Sequence, residues 1–321
     1  MRVLITGGAG FLGSHLTDTL LERGDEVTIL DTASDLKIRH QLGNPRFRHV
    51  RDSVLNREIL EGLVSWCEVV YHLAAVVGVE HYVGDPYEVL NVNVNGTQIV
   101  LSVAFKARKK VIFSSTSEVY GKGRTVPFAE DGDRVLGSTR IDRWCYSTSK
   151  AVGEHFCFAF HKLGLPVVVL RYFNVYGPRL DRMDVGRVMT IFLGQLMRGA
   201  PLTIIGDGEQ TRCFTYVDDA IRATVAAAQK EEAVGNIINI GSDEEVSIKR
   251  LAEMMISLYG SKSAMTFVSQ ESIYGASYED IPRRVPDSRR MRKILGVMPR
   301  VSLEEGLRRT IEWFRAQGVE G

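Results

Sequence analysis

The sequence predicts an α/β fold, with a doubly wound parallel sheet and a smaller mixed α/β lobe. Three observations predict this fold. Short apolar runs alternate with amphipathic segments, a glycine-rich turn follows the first apolar run, and the pattern changes after Arg171. Strands that alternate with helices of this length lie parallel, because right-handed crossovers place the helices on both faces of the sheet.

The alternation of strands and helices defines the elements of both lobes. Apolar runs predict strands at residues 2–6, 26–30, 69–73, 110–113, 166–170, 202–205 and 237–240. Amphipathic periodicity predicts helices at residues 11–23, 86–107, 146–163, 185–198, 218–230 and 302–315. Residues 247–321 are expected to be mainly helical. We predict that residues 1–175 with about 215–242 form the sheet domain, and that residues 176–214 and 243–321 form the smaller lobe.

The composition limits the kinds of partner. Lys and Arg number 40 against 39 Asp and Glu, a net charge of +1, which predicts neither a nucleic-acid partner nor a membrane partner. None of the four cysteines stands in Cys-x-x-Cys spacing, so neither a disulfide framework nor a metal site is predicted. We see no signal-peptide pattern and no apolar run of about 18 residues. These features predict a cytoplasmic protein.

A glycine-rich turn follows the first predicted strand. Gly7, Gly10 and Gly13 lie between this strand and a helix, where glycines let the backbone approach a pyrophosphate and the helix N-terminus stabilises its charge. Asp31 ends the second strand, where a carboxylate accepts hydrogen bonds from the ribose hydroxyls and repels a 2′-phosphate. The sequence therefore predicts a dinucleotide site that takes NAD rather than NADP. Asp52 either contacts the adenine or is a solvated loop acid.

A second motif places a tyrosine and a lysine on one helix. Tyr146 and Lys150 are one turn apart and share a face. We expect the ammonium to lower the pKa of the phenol, so that the tyrosinate takes a proton from an alcohol as hydride leaves its carbon. The lysine can also bind the nicotinamide ribose. Thr116 follows an apolar run and completes a hydroxyl, phenol and ammonium set.

Six motifs together resemble those of a known family. They are TGGAGFLGSHL, YHLAA, NVNGT, SSTSEVYG, YxxxK and RYFNVYGPR. In their order and spacing they resemble the extended short-chain dehydrogenase/reductases that act as nucleotide-sugar epimerases, dehydratases and decarboxylases. The resemblance runs essentially end to end. It implies a Rossmann fold, tightly held NAD that is reused in each cycle, and a UDP-sugar substrate bound by the smaller lobe.

The resemblance also assigns side chains to the two ligands. Those expected against NAD are Phe11, Leu12, Leu73, Ala74, Ala75 and Asn93. Those expected against the substrate are Ser117, Asn174, Arg187, Arg212 and Arg284. By the match, Asn174, Arg212 and Arg284 bind the nucleotide diphosphate, and in the family's decarboxylases the arginine matched by Arg212 also lies close to the reacting sugar. Packing alone also accounts for Asn93, and a surface position for Arg212 and Arg284.

Glu118 separates the possible reactions. An epimerase of this family needs no carboxylate there, and the dehydratases carry an aspartate where this chain has Ser117. In a decarboxylase the 4-keto intermediate is a β-keto acid that loses carbon dioxide unaided, and Glu118 or water then protonates C5. We therefore predict a UDP-glucuronate decarboxylase that forms UDP-xylose or its 4-keto form, with Tyr146 as base and Arg212 beside the reacting sugar.

Other readings stay open. The main alternative is a 4-epimerase of UDP-glucuronate, UDP-glucose or UDP-N-acetylglucosamine. A 4,6-dehydratase, an apiose-type ring contraction and a non-enzymatic dinucleotide-binding scaffold are less favoured. One feature opposes glucuronate: Glu80, in the loop of residues 77–81, would repel it if its side chain faced the sugar.

The resemblance implies a homodimer as well. Family members pair two helices from each subunit in a four-helix bundle, here the helix of residues 86–107 and the helix that carries Tyr146. Apolar positions on these helices either form that interface or pack within the chain: Val100, Leu101, Val103, Ala151, Phe156 and Phe160.

Overall fold

The computed structural model describes residues 1–123, 125–181, 183, 186–274 and 279–318. The strands in chain order are β1 Arg2–Thr6, β2 Glu26–Leu30, β3 Phe47–Val50, β4 Val69–His72, β5 Lys110–Thr116, β6 Val167–Tyr172, β7 Val175–Tyr176, β8 Leu202–Ile205, β9 Thr211–Cys213, β10 Thr215–Tyr216, β11 Ile237–Ile240, β12 Glu245–Ser247, β13 Met265–Val268 and β14 Arg283–Arg284. The helices are α1 Phe11–Glu22, α2 Arg57–Trp66, α3 Val79–Gly84, α4 Pro86–Leu90, α5 Thr97–Lys106, α6 Arg143–Lys162, α7 Val188–Met197, α8 Val217–Gln229, α9 Ile248–Tyr259, α10 Gln270–Tyr274 and α11 Leu303–Gln317. Among the described residues, no helix is long and apolar enough to cross a membrane.

The centre of the fold is a parallel sheet of seven strands in the order β3-β2-β1-β4-β5-β6-β11. β5 and β6 are buried almost throughout. This is expected of strands with helices on both faces of the sheet, which are read in the sequence as near-continuous apolar runs. The strand order reverses beside β1, which pairs with β2 on one side and β4 on the other. This arrangement confirms the predicted doubly wound sheet and opens a crevice at the carboxyl ends of the strands.

Three smaller sheets lie outside the large one. β7 pairs with β10, β8 with β13, and β9 lies between β12 and β14. The expectation that residues 247–321 are mainly helical is therefore too simple, because β13 and β14 fall in this range and pair with strands far away in the chain. The division into two lobes stays a prediction.

The helix predicted at residues 86–107 is interrupted. α4 and α5 are separated by a π-helical turn over Asn91–Gly96. The turn buries Asn93, whose amide bonds to both backbone groups of Val76 and to the Ser149 hydroxyl of α6. The hydrophobic periodicity of the sequence does not reveal a π-helical turn, because the apolar positions continue on either side of it.

A buried ion pair joins three elements of the central layer. Arg171 of β6 donates from Nε and Nη2 to the two carboxylate oxygens of Glu154 on α6, at 2.8 and 2.7 Å. The same carboxylate accepts from the Ser115 hydroxyl of β5 at 2.5 Å. Both charged side chains are buried, and the ring of Tyr120 covers the guanidinium. Fully satisfied pairs of this kind fix the relative positions of the elements that carry them.

We expect Glu154→Gln to lower the free energy of unfolding by about 3–5 kcal/mol, because it leaves the Arg171 charge buried without its partner. Urea unfolding followed by circular dichroism measures this. The control is Glu304→Gln, which removes an exposed partner of Arg308 and should cost less than about 1 kcal/mol. Equal small losses in both variants would contradict the structural role of the pair.

Candidate active site

A cavity of about 370 Å³ opens at the carboxyl ends of the parallel strands. It extends from the start of α1, past the end of β5 and the first turns of α6, to β9 and β14. Many of the residues that the sequence assigns to the site line it: Phe11, Leu12, Leu73, Ala75, Thr116, Ser117, Glu118, Tyr146, Lys150, Asn174, Arg187, Arg212 and Arg284. The fold therefore brings residues from both ends of the chain to one cavity.

The glycine-rich turn packs too closely for other side chains. A Cβ on Gly13 would lie 2.1 Å from the carbonyl oxygen of Gly7, and one on Gly7, at φ +76°, would lie 2.6 Å from the amide nitrogen of Ala74. Gly10 caps α1 without a side-chain hydrogen bond. The first amides of α1 have no partner within the helix, so a pyrophosphate fits against them. The backbone of Ala74 therefore packs directly against Gly7 of this turn.

Asp31 stands beside this turn. Its carboxylate accepts from the amides of Ala9 and Ala33, both at 2.9 Å, and so is held at the end of β2. Carboxylate oxygens also have room for further donors, as the ribose of NAD requires. Asp52 accepts from the amide of Ser53 and the side chain of Asn56. These contacts favour a loop-stabilising role for Asp52, and its contact with adenine stays a prediction.

The Tyr146 phenol is buried and lines the same cavity as Thr116. Its pKa is raised, first by burial and then by the negative charge of Glu118. Lys150 donates to the carbonyl oxygen of Ser114 at 2.8 Å, and burial lowers its pKa to about 8. The expectation that Lys150 lowers the Tyr146 pKa is thus wrong for the chain by itself, because burial of the phenol outweighs any neighbouring cation.

Glu118 lines the cavity together with Tyr146. Its amide donates to the Thr116 hydroxyl at 3.2 Å, which caps the short 3-10 turn after β5. Its Oε1 lies 3.6 Å from both Arg143 Nη2 and Arg284 Nη1. Its Oε2 is buried and has no hydrogen-bond partner among the described residues. One carboxylate oxygen therefore faces two cations, while the other keeps its acceptor capacity.

Three charged residues of the cavity wall, Arg143, Asp181 and Asp280, were missed as site residues by sequence reasoning. Arg143, the first residue of α6, is only 1% exposed. Asp280 Oδ1 accepts from Arg212 Nη2 at 2.8 Å and lies 3.7 Å from Arg143 Nη1. The spacing of Arg143 three residues before Tyr146 was the available signal, since it places both on one helix face.

The predicted substrate residues occupy different parts of the cavity. Arg284 donates to the Ser117 hydroxyl at 3.4 Å and lies beside Glu118, and its contact with the diphosphate stays a prediction. It is paired in register with Arg212 on the neighbouring strand. Asn174 donates to the carbonyl oxygen of Cys213, and Arg187 pairs with Asp181 at 3.2 Å.

The short helix that carries Glu80 also places an aromatic ring in the cavity. Tyr82 lines the cavity and stacks on Tyr146, with ring centroids 6.2 Å apart. The Glu80 side chain is 43% exposed and lies 3.8 Å from His81. Its effect on an acidic sugar stays a prediction.

The doubly wound sheet, the glycine-rich turn with Asp31, and the buried Tyr146 and Lys150 define an enzyme of the NAD-dependent Rossmann class. Residues 3–241 match the model of the NAD dependent epimerase/dehydratase family, and the chain belongs to that family. The predicted family and the predicted cofactor, NAD, are both confirmed.

Similar proteins within this family are decarboxylases and epimerases of UDP-sugars. The chain is 44% identical over 315 residues to a UDP-N-acetyl-alpha-D-glucosaminuronate decarboxylase of Bacillus cytotoxicus, covering 98% of each chain. It is 37% identical over 320 residues to UDP-glucuronic acid decarboxylase 1 of Xenopus tropicalis, covering 98% of this chain and 72% of the other. A solved UDP-glucuronic acid 4-epimerase from Bacillus cereus, in complex with UDP-glucuronic acid and NAD, superposes with a TM-score of 0.89 at 34% identity, covering 99% and 100%.

The charge of Glu118 should control the pH dependence of the first chemical step. Because Glu118 raises the pKa of Tyr146, we expect Glu118→Gln to lower it and to move alcohol oxidation to lower pH. Stopped-flow measurement of nicotinamide absorbance against pH tests this. Asp142→Asn removes a nearby charge that does not contribute to the Tyr146 shift, and should leave the profile in place. An unchanged or upward-shifted profile in Glu118→Gln would contradict the coupling.

Proposed function

We propose that the chain is an NAD-dependent decarboxylase of a UDP-hexuronate, either UDP-glucuronate or its 2-acetamido analogue. The observation that carries this proposal is the placement of Glu118 beside Tyr146, with one carboxylate oxygen between two arginines and the other without a hydrogen-bond partner among the described residues. Such a group is suited to move a proton at a carbon next to C4. The decarboxylases among the relatives support the same assignment.

The first step is oxidation of the C4 hydroxyl. Tyr146 takes the hydroxyl proton, and Thr116, which lines the same cavity, donates to the reacting oxygen. Lys150 lies one turn away and would bind the nicotinamide ribose. NAD, when bound, would supply the hydride acceptor for C4 and the hydride donor for its later reduction. Gly7, Gly10, Gly13 and Asp31 would hold it.

Decarboxylation follows from the ketone at C4. The C5–C6 bond breaks, carbon dioxide leaves, and the bonding electron pair moves into an enolate whose negative charge rests on the C4 oxygen. The donors on Tyr146 and Thr116 stabilise that charge. C5 then takes up one proton from solvent, which Glu118 relays directly or through a water molecule. Reduction of C4 and return of the proton from Tyr146 complete the reaction.

The substituent at C2 is left open by this chemistry, since no bond to C2 changes. The relatives differ there, with an acetamido group in one case and a hydroxyl in the other. A 4-epimerase remains the second candidate, because it shares the C4 oxidation and because an epimerase of UDP-glucuronic acid has the same fold. The two reactions differ in whether the product loses carbon dioxide.

We expect the purified protein with NAD to convert UDP-glucuronate or UDP-N-acetylglucosaminuronate to a UDP-pentose with loss of carbon dioxide. Glu118→Gln should slow that conversion by about 10²–10⁴-fold and leave NAD affinity unchanged. Mass spectrometry and NMR of the sugar measure both. Asp142→Asn is the matched control and should retain activity.

Two outcomes would contradict the assignment. An unchanged sugar mass with a new galacturonate-type signal would make the protein an epimerase. Near-normal decarboxylation by Glu118→Gln would remove Glu118 from the mechanism while leaving the reaction class in place.

We also propose a homodimer that pairs α6 with the segment from α4 to α5. Most of the apolar residues suggested by the sequence are unsuited to an interface, since Val100, Leu101, Val103 and Ala151 are buried in the chain's own core, and Phe156 and Phe160 pack against that core. α4 instead exposes Tyr87 at 75% and Leu90 at 41%. Exposed aromatic and aliphatic side chains on one short helix are suited to contact a second copy.

We expect Tyr87→Lys to weaken this dimer by at least about tenfold, because it places a charge in an apolar contact. Sedimentation velocity over a range of protein concentrations measures the change. Met298→Lys, at an exposed apolar position elsewhere, should leave association unchanged. Equal behaviour of the two variants would exclude α4 from the interface.

We propose a cytoplasmic location. All four cysteines are free, and three of them, Cys67, Cys157 and Cys213, are buried. Unpaired thiols in these positions agree with a reducing compartment.

A further inference from the structure

Tyr146 packs in a small apolar cluster, apart from the two large cores that flank the sheet. Tyr82 and Tyr146 are its aromatic members, and they are only 3% and 8% exposed. The other members come from the segment between β4 and α4, from α4 itself and from α6: Val76, Val79, Val89 and Cys145. The catalytic phenol is therefore buried in part by a short piece of chain outside the central layer.

Tyr82 of α3 covers the catalytic tyrosine directly. The two rings are stacked, with centroids 6.2 Å apart and planes inclined by 22°. Stacked rings restrict each other's orientation. Tyr82 also forms part of the cavity wall, together with residues 77–79 that precede it. The same side chain therefore contacts the base and borders the space that the sugar must enter.

Hydrogen bonds fix the segment that carries Tyr82 at both ends. Before α3, the backbone of Val76 bonds through its N–H and its carbonyl oxygen to the side chain of Asn93. After α3, the carboxylate of Asp85 caps the next helix, α4. Gly78, at φ +127°, turns the chain into α3 in a conformation that favours glycine. A short helix held in this way gives its side chains a defined position against α6.

The pKa of the Tyr146 phenol depends on burial more than on any charge. Burial is the largest cause of its raised pKa; Glu118 raises it further, and Arg187 lowers it. The other titratable groups around the cluster are Glu80, His81, Asp85 and Glu88, from α3 to α4, and Cys145 and Lys150 of α6. Loss of the Tyr82 ring removes none of these groups, so its main effect on the phenol is a loss of burial.

Resting on the proposed role of Tyr146 in C4 oxidation, we propose that Tyr82 is a positioning residue whose ring covers the Tyr146 phenol and keeps water from it while the sugar is oxidised. Tyr82 acts on the reaction through Tyr146 and needs no bond to the sugar. The ring has this role rather than the hydroxyl, because the stacked surface belongs to the ring. Without the ring, water solvates the phenolate and lowers the pKa of Tyr146.

The pH dependence of C4 oxidation tests the proposal. Stopped-flow measurement of nicotinamide absorbance, with NAD and either UDP-glucuronate or UDP-N-acetylglucosaminuronate, gives the midpoint of the rate against pH. We expect Tyr82→Leu to move this midpoint to lower pH by about 0.5–1 pH unit. Tyr82→Phe keeps the ring and should keep the midpoint of the unchanged protein.

The control is Tyr259→Leu, the same replacement at a half-buried tyrosine of α9 that packs on Arg315, and it should not move the midpoint. An unmoved or upward-shifted midpoint in Tyr82→Leu would overturn the proposal whatever the rate, since a purely structural defect slows oxidation without lowering the phenol's pKa. An equal shift in Tyr82→Phe would also overturn it. Should Tyr82→Leu fail to fold, as judged by thermal melting, Tyr82→Met decides between the same outcomes.

Failure of the proposed function gives a different result. Oxidation of C4 is common to the decarboxylase and the epimerase, so the midpoint can be measured in either case. A protein whose midpoint depends on the Tyr82 ring but that releases no carbon dioxide would retain this inference and lose the decarboxylase assignment. Release of carbon dioxide with a midpoint independent of Tyr82 would have the opposite meaning.

Discussion

The bidentate pair between Arg171 and Glu154 is the interaction on which the site geometry depends. It ties α6 to β6, and the Ser115 hydroxyl extends it to β5. Thr116 follows Ser115 directly, and Lys150 is one helical turn before Glu154. The threonine and the lysine therefore keep their spacing because the residues next to them are locked together in a dry layer, where a hydrogen-bonded charge pair is hard to rearrange.

Charge balance explains the composition of the other half of the site. Two carboxylates and three guanidiniums are gathered from α6, from the end of β5 and from two paired strands, β9 and β14. Segments that are distant in the chain each supply part of a cluster that is incomplete by itself. The chain is nearly neutral as a whole, so the field inside the cavity is set by these local charges rather than by the net charge of the protein.

The sequence predicts those parts of the site that depend on local contacts. The glycine turn and the pair of Tyr146 and Lys150 each lie within one strand–turn–helix unit or one helix, so spacing alone reveals them. β3 is a short, half-buried edge strand with polar residues, and its alternation is too weak to register. The contacts of Asp280 with Arg212 and Arg143 join segments far apart in sequence, and no periodic pattern records them. The raised pKa of Tyr146 is not visible in the sequence either, because its main cause is burial, and burial depends on the whole fold.

The π-helical turn over Asn91–Gly96 gives the chain freedom of length at one point beside the site. Val89 on one side packs beside Tyr146, and Val100 on the other side packs into the core of the sheet. Because a π-helical turn holds one residue more than an α-helical turn, a chain one residue shorter here can close the same turn as regular α-helix and keep both contacts. Homologous chains can therefore differ by one residue in this segment without turning α5 relative to α4, so a one-residue gap in their alignment here does not indicate a different site.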